Sequence, residues 1–141
     1  MLSNHVGRFI EKYGRVDARR MSRVYYGLDP APFEAAAAVP DAEKQALRAS
    51  FGFGPDNVVF TCVARFAPQK AHDVLLRAFD SARAERPELR LLLVGDDPFG
   101  DGRTRAEALA AELGLGDSVV FAGIRRDCLL YTSDAADEWL R

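Results

Sequence analysis

The sequence predicts an α/β protein in which a partial parallel sheet is flanked by helices. Three observations predict it. Nearly unbroken apolar runs recur at Asn57 to Val63 (NVVFTCV), Leu89 to Val94 (LRLLLV) and Ser118 to Ala122 (SVVFA). Strands covered by helices on both faces need such runs, whereas strands with one wet face alternate apolar and polar residues. Helix-like segments separate the runs, and strand, helix, strand, helix, strand is the order that right-handed crossovers turn into a parallel sheet. No internal repeat interrupts the pattern.

In chain order, Ser3 is placed to cap a first helix whose stripe is Val6, Phe9, Ile10 and Tyr13, at i, i+3, i+4 and i+7. Gly14 ends it. Arg23 to Tyr26 is expected as a short strand, closed by Gly27 and the turn-forming Asp29-Pro30. Residues 30 to 40 hold three prolines and an alanine run, and are expected to connect. Asp41 is expected to cap a helix through Ala49 that stops at Gly52. The Asn57 strand leads into a loop from Arg65 to Gln69. Lys70 to Ala84 is the next helix, with Val74, Leu75, Phe79 and Ala82 on one face. The Leu89 strand ends at Gly95-Asp96-Asp97-Pro98. A helix from about Thr104 to Leu113 stops at Gly114, and the third strand ends at Gly123.

Bulk properties narrow the function. With 141 residues there is room for one domain with a hydrophobic core. A net charge of −2 argues against a nucleic-acid partner, which calls for a basic excess. Cys62 and Cys128 make no disulfide framework, and Cys62 lies in an apolar run as a small core residue. No stretch is long enough to span a bilayer, and Met1 to His5 lacks the basic region and apolar block of a signal peptide. A cytoplasmic protein is the default, with an amphipathic contact to a membrane surface left open. His5 and His72 are isolated, and both are expected as polar surface or helix-end residues.

Ligands of an open parallel sheet bind beyond the carboxyl ends of its strands, where helix N-termini point. The loop after the Asn57 strand reads Ala64-Arg65-Phe66-Ala67-Pro68-Gln69-Lys70. Arg65 stands at the strand's end and Lys70 at the helix's start, so both cations can face one anion. Arginine offers a planar fork to phosphate oxygens, lysine a compact charge, and the helix terminus its dipole. On composition alone, two cations five residues apart are more often just solvated surface. The acidic segment Gly95 to Gly102 does not fit an EF-hand, because Phe99 stands where a ligand oxygen is required.

Val63 to Phe79 (VARFAPQKAHDVLLRAF) resembles the donor-domain signature of the family-four glycosyltransferases, G-R-L-x-x-x-K-G-x-x-x-L-L-x-A. Val24 to Asp29 (VYYGLD) resembles V-x-N-G-I-D, Leu91 to Pro98 (LLLVGDDP) resembles L-x-I-V-G-x-G-P, and Val119 to Gly123 (VVFAG) resembles V-x-F-x-G. The four motifs stand in the family's order over residues 24 to 123. Departures are Tyr26, Ala64, Phe66, Ala71 and Asp97, of which Ala64, Ala71 and Asp97 replace glycines.

The resemblance implies a GT-B enzyme: two Rossmann-like domains facing a cleft, transferring a sugar from a nucleotide-diphosphate sugar to an acceptor with retention of configuration. By the same match Arg65 and Lys70 bind the donor diphosphate, while Gly27, Gly95, Asp96 and Gly123 are weaker candidates for the donor site. No metal or other cofactor is implied, and no catalytic residue is assigned. Residues 1–29 correspond to the end of the acceptor domain and the hinge, and 30–127 to the first part of the donor domain. From Cys128 the chain reads CLLYTSDAADEWLR, which resembles the translated transposon adapter of sequencing libraries. Residues 128–141 are therefore expected to be foreign, and the chain to be truncated at both ends and inactive alone. The sugar, the base and the acceptor are not legible. The alternatives are a nucleotide-binding Rossmann-like domain and a receiver-type regulatory domain without catalysis. The first is weakened by the lack of G-x-G-x-x-G after any strand, the second by the missing acidic pair and aspartate.

Overall fold

The computed structural model describes residues 3–24, 27, 29–98 and 100–125. The chain divides into two compact units, Met1–Pro32 and Phe33–Arg141. In the first, helix α1 spans Asn4–Gly14, and the Ser3 hydroxyl caps it by accepting from the Val6 N–H at 3.2 Å. The Phe9 and Tyr13 rings sit 4.7 Å apart on an exposed stripe. A short 3-10 turn, Ala18–Arg20, follows, with the Asp17 carboxylate accepting from the Arg19 N–H. Arg23 and Val24 are not in a strand, and the rest of the strand expected there lies outside the described residues.

The alanine run forms a helix, α2 (Ala31–Ala37), rather than a connection. Alanine has the highest helix propensity, and Pro32 stands in the first turn, where its missing N–H costs nothing. Helix α3 spans Asp41–Ser50. Its N-cap is Pro40, with no side-chain capping bond, so Asp41 contributes as a first-turn carboxylate at the positive helix end instead of as a cap.

The second unit's core is a three-stranded parallel sheet in the order β1 (Val58–Val63), β2 (Leu89–Val94), β3 (Val119–Gly123). Helix α4 (His72–Glu85) joins β1 to β2, and α5 (Gly102–Glu112) joins β2 to β3. The central strand explains its own sequence. Leu89, Leu91 and Leu93 point into one core with Leu76 and Phe79 of α4 and Ala106 and Ala110 of α5. Leu92 and Val94 point the other way, onto Phe53 with Phe51, Val59, Val120 and Ala122. An apolar run is what two buried faces require. The turn that brings Phe53 under the sheet is tied by Asn57, whose Oδ1 accepts from the Gly54 N–H and whose Nδ2 donates to the Glu88 carbonyl.

Helix α4 starts at His72, two residues later than the sequence suggested, and this rotates its buried face. His72, Leu76 and Phe79 are buried, whereas Val74 is 62% exposed and Ala82 is also exposed. The cause lies just upstream, where Pro68–Lys70 forms a 3-10 turn and Ala71 adopts a left-handed conformation (φ 50°, ψ 46°) before the helix begins. The tail at 128–141 lies outside the described residues.

Candidate functional site

The carboxyl ends of the three strands are knit into one surface by backbone contacts. Ala64 N–H donates to the Val94 carbonyl at 2.9 Å, Phe66 N–H to the Asp96 carbonyl at 2.8 Å, and Gly95 N–H to the Gly123 carbonyl at 2.9 Å. A register irregularity at Leu93/Val94 sets Val94 opposite Gly123, whose φ of 68° ends β3. The sheet thus brings Arg65, Lys70, Gly95, Asp96 and Gly123 to one end. Gly27 belongs to the Met1–Pro32 unit, where it is exposed.

Arg65 and Lys70 are both exposed, and no hydrogen bond or ion pair engages either side chain among the described residues. Their backbone, in contrast, is fixed. Ala67 N–H donates to the Arg65 carbonyl, Lys70 N–H to the Ala67 carbonyl, and Ala71 N–H to the Pro68 carbonyl. Between the two cations Phe66 is 1% exposed, its ring packed against Phe121 at 6.0 Å and against His72 at 4.6 Å. Lys70 lies close enough to act on Cys62. Burial pushes that half-buried thiol above its ordinary pKa, and the Lys70 charge works in the opposite direction. Two unspent cations on a rigid rim can grip a multiply charged anion without first breaking internal partners.

Beside them, the β2–α5 loop closes on itself. Asp97, at a position where the resembled motif has glycine, takes up one orphan donor of α5 and one of the loop before it: its Oδ2 accepts from Arg103 N–H at 3.0 Å and its Oδ1 from Gly100 N–H at 3.1 Å. This gives Asp97 a structural task. Arg103, which the sequence did not single out, lies over the end of β3. Its Nε donates to Glu107 at 2.7 Å, and its guanidinium stands 6.0 Å from the Phe121 ring.

His72 is the helix-end residue expected, but it is buried and not on the surface. It is 7% exposed at the start of α4, its ring is stacked on Phe66, and its Nε2 has no hydrogen-bond partner among the described residues. Burial lowers its pKa, with the neighbouring Asp73 carboxylate acting the other way. Together with Phe66, Ala67, Pro68, Gly102, Arg105 and others it lines a groove of about 400 Å³ between the first turns of α4 and α5. Among the described residues no group of three His, Cys, Asp or Glu side chains converges on a metal position, and no helix is long and apolar enough to cross a membrane.

Residues 43–132 match the family model described as glycosyl transferases group 1. The match runs past residue 128, into the segment whose sequence resembles an adapter. The D-inositol 3-phosphate glycosyltransferase of Rhodococcus jostii (strain RHA1) is 40% identical over 108 residues, covering 69% of this chain and 24% of the relative. A GDP-mannose-dependent alpha-(1-6)-phosphatidylinositol monomannoside mannosyltransferase of Mycolicibacterium smegmatis is 35% identical over 82 residues, 58% of this chain and 20% of the relative. The chain therefore spans about a quarter of the length of the curated relatives it matches. Among solved structures, a glycosyltransferase from Rickettsia africae superposes with a TM-score of 0.83 at 18% identity, over 94% of this chain and 34% of that one. Anabaena Alr3699/HepE in complex with UDP-glucose gives 0.79 at 24% identity, over 92% and 34%. These structural likenesses establish the fold.

Proposed function

The chain belongs to the group 1 glycosyl transferases, and from that premise we propose that it carries the first part of the nucleotide-sugar donor domain of a longer, family-four, retaining enzyme. The observation that carries this reading is the pair Arg65 and Lys70: two exposed cations, unpaired among the described residues, on one hydrogen-bonded loop at the carboxyl end of β1. Both match the positions that bind the donor diphosphate in the family signature. The complexes of Alr3699/HepE with UDP and with UDP-glucose support a nucleotide sugar as the ligand of this fold.

In this reading the bond between the anomeric carbon and the diphosphate breaks, the diphosphate leaves with the electron pair, and the acceptor hydroxyl oxygen bonds to the anomeric carbon as its O–H proton passes to the departing diphosphate or to solvent. Negative charge grows on the diphosphate as the bond lengthens. Arg65 and Lys70 meet it with preorganised positive charge, a task that elsewhere falls to a metal ion. Gly95, Asp96 and Gly123 line the same end of the sheet, and Gly27 belongs with the hinge at 1–29. A cytoplasmic setting and a peripheral membrane contact of the full-length enzyme are parts of the proposal; the second is supported by a relative whose name carries a phosphatidylinositol acceptor. Residues 128–141 are proposed to be adapter-derived.

Calorimetric titration of the chain with UDP-, GDP- and ADP-sugars tests the reading. Weak, salt-sensitive binding is expected, with dissociation constants in the millimolar range, because two charge-assisted contacts in an open site are screened. Binding that is insensitive to salt, or none at all, would overturn it. A receiver-type domain would bind none of the three.

A further inference from the structure

We propose that His72 is a positioning residue for the cation pair, holding Phe66 flat and thereby fixing the segment that carries Arg65 and Lys70. The inference rests on the donor-site reading of those two cations. Neither cation is held by a partner of its own among the described residues, so their placement depends on the backbone between Ala64 and Ala71. That segment buries Ala67 at 5% exposure and Phe66 at 1%, and Phe66 is the large side chain it drives into the main core. Its ring is clamped from two directions. Phe121 of β3 lies at 6.0 Å with the planes 27° apart, and His72 of α4 lies closer, at 4.6 Å and 25°.

The backbone on either side of this clamp leaves little slack. A Cβ placed on Gly102 would stand 2.4 Å from the Phe66 carbonyl oxygen, and the Phe66 N–H is bonded to Asp96. The loop therefore rests on β2, on the start of α5 and on the His72 ring. Of these supports the His72 ring is the one next to the segment in the chain, two residues past Lys70, so it ties the C-terminal end of the cation segment to the same core that holds Phe66. No hydrogen bond fixes the imidazole, since its buried Nε2 lacks a partner among the described residues. What it contributes is the flat face of its ring, and aromatic pairs in such offset contact are favourable beyond the area they bury.

The role predicts a particular ranking of variants. His72→Phe keeps a flat ring against Phe66, whereas His72→Leu keeps the burial and loses the flat face. The test is titration of the chain with UDP and, separately, with inorganic pyrophosphate, followed by amide chemical shifts in NMR spectra, with Lys70→Ala as the reference for a lost cation. His72→Leu is expected to weaken both ligands about fivefold, as when the binding-competent loop falls to about a fifth of the population. His72→Phe is expected to stay within about twofold of the unaltered chain on the same argument. Should leucine unfold the chain, visible as lost amide dispersion, His72→Asn carries the same comparison. Unchanged affinity in the leucine or asparagine variant while Lys70→Ala loses binding would overturn the positioning role and leave the donor site standing. Equal losses in the phenylalanine and leucine variants would overturn it too. Failure of the unaltered chain to bind either ligand would overturn the donor site and this role with it.

Discussion

Gly95 lies so close against Ala64 that a Cβ built on it would stand 2.0 Å from the Ala64 carbonyl oxygen. That contact joins the end of β2 to the start of the cation loop, and only a residue without a side chain permits it. Gly95→Ala is therefore expected to destabilise the chain by on the order of 3 kcal/mol, the upper range for forced overpacking, because the obstacle is backbone and cannot rotate away. Urea denaturation of the two proteins measures it. A difference below about 0.5 kcal/mol, the range of ordinary surface changes, would show that the loop yields freely.

The sheet was legible because β2 announces its two buried faces in LRLLLV, and because β2 and β3 stop at Gly95 and Gly123. The cation pair was legible through its motif and through the rule that ligands sit beyond strand carboxyl ends. His72 was not. Its burial depends on a helix start delayed by the 3-10 turn at Pro68–Lys70, and no periodicity in the sequence reports that delay. Arg103 was hidden for a related reason: its place over Phe121 depends on the long-range packing of α5 on β3. The alanine run failed as a connector because propensity won over the turn signal of the neighbouring prolines.

Ala71 bears a local strain that a glycine would relieve. It adopts φ 50° between Lys70 and His72, a conformation that costs an L-residue about 1–2 kcal/mol. Glycine loses part of that gain through the added freedom of the unfolded chain, about 0.4–1 kcal/mol. Ala71→Gly is thus expected to stabilise the chain by on the order of 0.5–1 kcal/mol, read as a raised urea midpoint with an unchanged slope. A lowered midpoint would contradict the left-handed turn.

Cys62 offers a chemical reporter of the loop. Burial holds its thiol above the ordinary range, and the Lys70 charge partly offsets this. Since the thiolate is the reactive form, alkylation by iodoacetamide at pH 8 should be slower in the native chain than in urea. Lys70→Ala should slow it further, because the offsetting charge is gone. Faster alkylation in that variant would mean that Lys70 does not lie near the end of β1.

Stability should depend on pH through His72. Its native pKa lies below the ordinary value of 6.5 because burial disfavours the imidazolium, with Asp73 opposing. Between the two values the unfolded chain binds more protons than the folded one, so stability rises with pH across that window. The contribution is complete above about pH 6.5 and is lost as pH falls toward the native value. His72→Phe removes the group, so its unfolding free energy should fall less than that of the unaltered chain between pH 7 and 5. Parallel curves for the two proteins would place the titrating group elsewhere.

The proposed chemistry makes its sharpest demand on Arg65 and Lys70. Both are exposed on a loop rim and make no internal side-chain bonds among the described residues, so replacing either should leave folding nearly untouched, within about 0.5 kcal/mol. In the proposed chemistry catalysis is different, because each would supply fixed positive charge at the point where the leaving diphosphate becomes more negative. Loss of one such preorganised group typically costs about two to three orders of magnitude in turnover. In the full-length enzyme, Arg65→Ala and Lys70→Ala should each lower kcat by that amount while the urea midpoint stays in place. Arg65→Lys should recover only part of the loss, because lysine restores the charge without the planar fork that meets two phosphate oxygens at once. Nucleoside diphosphate release at saturating donor, measured beside the unfolding curves, separates the two effects. Near-normal turnover in both alanine variants would remove these residues from the reaction, and a matching drop in stability would make them structural instead.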